Sequence, residues 1–358
     1  MQQILRHSLP TTAAVLLLPG CMSMDRLEQA PTEIVQSHNT AFAGLRFPSS
    51  APARNVVAPR GAPSDRYAVL ALSGGGPDGA YGAGLLAGWS ASGTRPQFDV
   101  VTGVSTGALM APFAFLGPAY DDRLRELYTG EHIRTILSQG SALRLLRGPA
   151  MYRNDRLRQL IAQHVDDSLL RLIAAEHTTG RRLYIATANI DAQHMVIWNM
   201  GAIAAQGTTE SAARFRQILL AAASVPVAFD PVLFSTHGSP LATGEAHMDA
   251  TLFSHFYAGP ELFPETCLTG VRVCTLHIIV HNRTVAEPQT IKFKASALIR
   301  RALETTIKAN LNTRILATAQ MVTARGIAFR LAYLDIPFAS VSPIDFDLAY
   351  MRSIYLLG

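Results

Sequence analysis

Lysine is nearly missing from this chain: of 31 basic side chains among 358 residues, only Lys292, Lys294 and Lys308 are lysine and the rest are arginine. The formal net charge is +5, and loss of a leader carrying Arg6 would lower it by one. An excess so small and so scattered argues against a nucleic-acid partner and allows only mild attraction to anionic lipid. Cysteine is as scarce, with three residues, which excludes a disulfide-built scaffold. Past the N-terminus no stretch reaches the roughly eighteen unbroken apolar residues of a membrane-spanning helix, and no internal repeat marks a solenoid. Apolar residues are plentiful, at 49% of the chain. That is enough for one large core or two smaller ones, and it suits a parallel sheet buried on both faces.

The most informative stretch is Gly103-Val104-Ser105-Thr106-Gly107. Residues 99–102 before it read as a short buried strand, and residues 108–116 after it as an apolar helix. Gly-x-Ser-x-Gly between strand and helix is the pattern of a nucleophile elbow, which holds a serine hydroxyl out at a sharp bend. Gly103 and Gly107 lack a Cβ, which lets the backbone turn so tightly beside a substrate. The helix N-terminus just past Ser105 carries unpaired N–H groups that favour an oxyanion.

About thirty residues upstream, the apolar run 67–72 enters Ser73-Gly74-Gly75-Gly76-Pro77-Asp78-Gly79 and then a helical segment, 80–89. Consecutive glycines after a strand can aim several N–H groups at one point, serving an oxyanion or a phosphate equally. Gly74, Gly76 and Gly79 also satisfy a dinucleotide-binding spacing, with Asp99 some twenty residues on. That reading is the weaker one. Its ribose-binding acid should close the second strand, whereas Asp99 opens it, and it leaves the elbow without a role.

With these residues in hand, the chain resembles the patatin-like phospholipases. The resemblance lies in Leu72-Ser73-Gly74-Gly75-Gly76, the elbow, Ala222 to Val232 (an Ala-Ser-x-x-Pro-x-x-Phe-x-Pro-like segment), Met248-Asp249-Ala250, and a tail around Phe346-Asp347 similar to that of a bacterial branch. It runs from about residue 66 to the C-terminus and is strongest up to Asp249. It implies a serine acyl hydrolase with Ser105 as nucleophile, Asp249 as base, and the Gly74, Gly75 and Gly76 amides as oxyanion hole. The chain departs from the family pattern twice. Asp78 stands where the family has Arg or Lys, and Ala250 stands where it has glycine. If position 250 needed a positive φ, Ala250 would introduce roughly a kcal/mol or more of strain.

A Ser-Asp dyad is chemically sufficient for ester cleavage on glycerolipids or phospholipids, with no cofactor and no metal. The aspartate takes the hydroxyl proton, burial raises its pKa toward a useful range, and glycine amides meet the tetrahedral oxyanion. Two alternatives stay open: a short-chain esterase or thioesterase, and a non-catalytic lipid-binding envelope protein. His247, Asp249 and His255 could be metal ligands, although solvated loop histidines are the plainer reading. His277 and His281 could complete a Ser-Asp-His triad; the plainer reading makes His277 a core residue and His281 the end of a strand.

The N-terminus reads as a targeting segment: Arg6 and His7, an apolar core over 11–18, then Leu18-Pro19-Gly20-Cys21, which resembles a lipoprotein cleavage box with Cys21 as the lipidated residue. The expectation is export and a lipid anchor in the bacterial envelope, facing the periplasm; Met22 after the cysteine favours the outer membrane. Cys267 and Cys274 then remain as an even pair around Thr269-Gly270, forming either a disulfide or two buried thiols. The expected organisation is a leader over 1–21, a Pro/Ala-rich tether over 22–65, a catalytic core over 66–262, and C-terminal elements over 263–358 completing the same domain. A helical region over 121–176 either caps the site or packs as an outer layer. A long amphipathic helix over 296–325 either packs on the sheet or touches membrane. Strands alternating with helices imply a three-layer α/β/α sandwich with a mainly parallel sheet.

Overall fold

The computed structural model describes residues 26, 28–49, 65–135, 149–236, 243–335 and 346–358. Cys21 and the rest of the expected leader lie outside them. In chain order the elements are α1 (Pro31–Thr40), β1 (Arg46–Pro48), β2 (Arg66–Leu72), α2 (Gly79–Ala91), β3 (Val100–Gly103), α3 (Thr106–Leu116), α4 (Asp121–Thr129), α5 (Asp155–His164), α6 (Asp167–Thr178), β4 (Arg182–Asn189), β5 (His194–Asn199), α7 (Thr209–Ala222), β6 (Val232–Phe234), β7 (Glu245–Asp249), β8 (Val273–Val280), α8 (Ala295–Thr323), β9 (Ala328–Tyr333) and α9 (Leu348–Leu357).

The strands form one sheet in the order β1-β5-β4-β3-β2-β8-β9, with β7 against β4 and β6 beyond it. The five from β4 to β9 are mutually parallel, and the other four pair antiparallel. Alternation along β2 explains the layering. Ala68, Leu70 and Leu72 feed one core together with α2, α3 and α9, while Tyr67, Val69 and Ala71 feed the other, which α8 covers through Leu311 and Val322. A strand buried on both faces is apolar at every position, as residues 67–72 are. The architecture is a three-layer α/β/α sandwich with a mostly parallel sheet.

Register places the site. β3 lies beside the first half of β4, with Gly103 opposite Ile185. β7 enters the same lane from the other direction and stops with Asp249 opposite Thr187. Two strands thus run head to head and end two β4 residues apart, a gap of about 7 Å at strand rise. Whatever follows Gly103 must meet whatever ends β7.

The tether expected over 22–65 does not hold for its described part. Residues 31–40 are helical, and β1 adds an edge strand through Arg46–Trp198, Phe47–Ile197 and Pro48–Val196. Arg46 fixes this arm: its guanidinium pairs with Glu245 at 2.5 and 2.9 Å and donates to the Ala41 and His38 carbonyls, all buried. Arg26 grips Asp191 and the Gly244 carbonyl, and Ser37 donates to Glu245. No apolar period announces such a segment, because polar contacts around β7 hold it.

Candidate active site

Ser105 sits at the N-cap of α3 with φ 54° and ψ −124°. A non-glycine residue there costs of order 1–3 kcal/mol and persists only where its surroundings impose it. The surroundings are glycine contacts. A Cβ on Gly103 would lie 2.5 Å from the Gly107 carbonyl oxygen, and one on Gly107 would lie 2.5 Å from that of Leu72. Gly107 donates its N–H to the Ser73 carbonyl at 3.1 Å, clamping the elbow against the end of β2.

Asp249 is fully buried at the end of β7. Its Oδ1 accepts from the Thr251 N–H and hydroxyl, both at 2.9 Å. Its Oδ2 is buried and has no hydrogen bond of good geometry. Burial pushes the carboxyl up to about 6, partly offset by the neighbouring Ser105 hydroxyl and by Thr251. Ser105 is therefore next to the carboxyl but not yet closed on it, and such catalytic hydrogen bonds commonly tighten only when substrate binds.

The glycine loop divides its labour. The Gly74 amide is committed to the His255 carbonyl at 2.9 Å, so it is not a free oxyanion donor, contrary to the sequence expectation. Gly74 serves as a spacer: a Cβ there would lie 2.4 Å from Thr251 Cγ2 and 3.1 Å from Ser105 Cβ. Among the described residues the Gly75 and Gly76 amides have no such backbone acceptor, nor does that of Thr106, the first residue of α3. Sequence reasoning missed Thr106, although the residue after an elbow serine is a standard donor position.

Beside Ser105 opens a cavity. Apart from Gly76, Ser105, Thr106 and Tyr128 its lining is apolar, with Leu127 and Ile133 from the α4 region, Leu157 and Leu160 from α5, Val225 and Phe229 after α7, and Phe346 and Met351 near the C-terminus. The described helices α4 and α5, within 121–176, therefore line the pocket as well as packing as a layer. Tyr128 also donates to the Thr106 carbonyl at 2.6 Å, bracing the start of α3.

The other candidates resolve by contact. Asp99 accepts from the Ala68 N–H at 2.8 Å at the far end of the sheet, so it has no ribose-binding position. His277 packs between Trp89 and Phe98. His281 follows β8 directly. Its Nδ1 donates to the Ser73 carbonyl at 2.6 Å, and burial holds the ring down to about 4, neutral beneath the loop. His247 and His255 are buried, not solvated loop residues. His247 is bonded to Thr187 at 2.8 Å and to Glu245 at 3.2 Å. No group of three or more His, Cys, Asp or Glu side chains able to hold a metal occurs among the described residues. Ala250 has no positive φ, so the substitution for glycine brings no backbone strain. Asp78 is not among the residues that line the cavity and accepts from the Tyr350 hydroxyl at 2.6 Å. Cys267 and Cys274 are disulfide-bonded, with Cα atoms 5.6 Å apart. The Arg46–Glu245–His247 network went unread, although polar residues at every second position of 245–249 were its visible signal.

A glycine-rich strand end over a strained elbow serine, in a mostly parallel α/β/α sandwich, defines the elbow class of α/β proteins. Within that class, a family model described as patatin-like phospholipase matches residues 70–258, more than half of the chain, and the chain belongs to this family of lipid acyl hydrolases. Among solved structures, VipD from Legionella pneumophila is similar at 13% identity and TM-score 0.40, over 70% of this chain and 56% of that one. ExoU from Pseudomonas aeruginosa, solved with SpcU, is similar at 17% identity and TM-score 0.26, over 73% of this chain and 53% of that one. The chain thus spans about half the length of these two proteins. No curated protein matches.

Proposed function

We propose that this chain is a serine acyl hydrolase of phospholipase type, cleaving carboxylic esters of glycerolipids or phospholipids with Ser105 as nucleophile and Asp249 as base. The observation that supports the reading is the head-to-head ending of β3 and β7, with the elbow serine after one and, at the end of the other, a buried carboxylate whose Oδ2 has no hydrogen-bond partner among the described residues.

As Oγ of Ser105 attacks the ester carbonyl carbon, its proton passes to Asp249 Oδ2. The carbonyl oxygen becomes an oxyanion facing the Gly75, Gly76 and Thr106 amides, one such donor being worth about 10²–10³ in rate. Collapse of the tetrahedral intermediate breaks the ester C–O bond. The leaving alcohol takes the proton from Asp249, and the acyl group stays on Ser105. A water then gives a proton to Asp249 and attacks the acyl carbon. A second collapse frees the fatty acid and returns the proton to Ser105. The carboxyl at about pKa 6 suits both halves, being ionised at neutral pH yet basic enough to accept. The apolar cavity fits an acyl chain, and its few polar groups lie where the ester would be.

The test is hydrolysis of a mixed lipid panel by wild type, Ser105→Ala and Asp249→Asn, with fluorophosphonate labelling alongside. Loss of activity in both variants and loss of label in the first is expected; equal rates in all three overturn the dyad. Cleavage of short-chain esters but of no phospholipid would move the assignment to a short-chain esterase or thioesterase. We propose also that the protein is exported and lipid-anchored through Cys21, a reading that rests on the leader and cleavage box. Palmitate incorporation lost in Cys21→Ser is the expected result, and an unlabelled wild type overturns it.

A further inference from the structure

The excess charge of this chain is not scattered. Residues 283–314 hold seven Lys and Arg against two acids, an excess equal to the formal +5 of the whole chain, and they include all three lysines. The segment follows β8, which runs parallel to β2, so it starts at the same end of the sheet as the glycine loop. Contacts agree with that placement: His281 bonds Ser73, Asn312 donates to the Thr284 carbonyl, and Lys308 donates to that of Val285.

The long helix α8 is packed along only part of its length. Leu311, Thr318 and Val322 are buried against the sheet, whereas no described side chain from 295 to 310 is buried. Those sixteen residues make about 24 Å of helix. Helices of this kind owe most of their stability to a packed apolar face. Yet Leu298 and Ile299 are exposed here, and Phe293, just before the helix, is 95% exposed. Lys292 and Lys294 flank that phenylalanine, exposed and without a salt bridge among the described residues. No helix among the described residues is long and apolar enough to cross a membrane.

We infer that residues 292–299, with the first turns of α8, form a docking face for an anionic lipid surface, at the end of the sheet that carries Ser105. Apolar side chains interleaved with cations are what an interface of anionic headgroups over acyl chains accepts: the aromatic and aliphatic groups enter the boundary layer and the lysines meet the phosphates. The inference rests on the reading of the substrate as lipid. It would hold the chain on the surface that carries its ester.

The test uses the full chain carrying Cys21→Ser and Ser105→Ala, so that neither an acyl anchor nor turnover contributes. Sedimentation with phosphatidylglycerol vesicles should exceed that with phosphatidylcholine vesicles and weaken with salt. Adding Phe293→Ser with Ile299→Ser, or Lys292→Glu with Lys294→Glu, should lower partitioning roughly tenfold or more. Placed in the catalytically intact chain, these changes should lower hydrolysis of vesicle lipid and leave hydrolysis of a monomeric short-chain ester unchanged, which also reports folding. Undiminished partitioning of the variants overturns the inference. So does a shift from dimer to monomer in the variants on gel filtration, which would assign the face to a second copy. Vesicle binding without any hydrolysis by the intact chain would sink the proposed activity and leave the docking face standing.

Discussion

The two ends of the parallel sheet contrast sharply. At the N-terminal end most polar groups are satisfied: Asp99 takes the Ala68 N–H, Arg181 holds the Phe98 and Phe115 carbonyls and Glu176, and Tyr67 donates to the Leu262 carbonyl, with only the Nε atoms of Arg95 and Arg182 left open among the described residues there. At the C-terminal end the same sheet carries a strained Ser105 and buried atoms without good hydrogen bonds, namely Asp249 Oδ2, His281 Nε2 and both ring nitrogens of His255. Buried polar atoms are ordinarily paired. The open atoms at the N-terminal end belong to guanidinium groups bonded through their other nitrogens, whereas those at the C-terminal end surround a strained serine, the pattern expected where stability is given up for chemistry.

The sharpest way to break this comparison is to remove the open groups themselves. Ser105→Ala should lower kcat/KM by 10³ or more, as loss of a nucleophile does, while relieving a positive φ only in part. Steady-state hydrolysis of a long-chain ester checks the rate, and a residual rate within tenfold of wild type would show that the open end is not catalytic.

Next in size is Arg46, where the N-terminal arm meets β7. Arg46→Ala leaves Glu245 buried without its cation, with only Ser37 and His247 beside it, which should destabilise the fold by about 3–5 kcal/mol. Burial alone would raise the Glu245 carboxyl, but Arg46 and His247 hold it well below the usual range. A group lowered in this way stabilises above its unfolded pKa and loses that contribution as pH falls through the folded value. The difference between wild type and variant should therefore be full at pH 7 and shrink in acid, as urea denaturation at several pH values would show. Because β7 ends in Asp249, loss of this anchor should also lower kcat more than it raises KM.

Asp249→Asn turns the comparison around. The folded carboxyl, raised by burial to about 6 against about 3.9 in an unfolded chain, contributes stability below the unfolded pKa and loses it as pH rises through 6. At pH 8 the ionised group opposes folding by an amount on the order of 2–3 kcal/mol. The inactive variant should therefore melt higher than wild type at pH 8 and much like it at pH 4. The same titration sets the rate: kcat/KM of the wild type should fall tenfold per pH unit below about 6.

How much of this was legible depends on how local each signal is. The elbow and the glycine loop are written in adjacent residues, because tight turns and close backbone approaches demand glycine at fixed offsets. Asp249 was legible only through the family resemblance, since nothing near Met248-Asp249-Ala250 says that β7 enters the lane that β3 leaves. That register belongs to the whole sheet. Gly74 was misread because its acceptor, the His255 carbonyl, arrives from far along the chain. The arm over 31–48 was misread because its order comes from Arg46 and Ser37 meeting Glu245, contacts that no window of sequence contains. The charge was misjudged as scattered because it was summed over the chain, when its distribution carried the information.

The smallest effect tests the edge of the open end. Asp78 occupies the position where the family carries a cation, and the Tyr350 hydroxyl of α9 donates to it. Burial raises the Asp78 carboxyl to about 6, while Tyr350 and Arg283 pull it down. Tyr350→Phe removes a hydrogen bond to a partly ionised acid, a loss of about 1–2 kcal/mol. Without that donor the folded pKa rises further, so stability keeps falling with pH beyond the wild-type window. The destabilisation should therefore be larger at pH 8 than at pH 5, measured by thermal melts of both proteins. Phe346 and Met351, on either side of this contact, line the cavity. If the tether serves the pocket as well as the fold, KM for long-chain esters should rise while that for short-chain esters holds. An unchanged chain-length profile would confine Tyr350 to stability and place it with the satisfied end of the sheet.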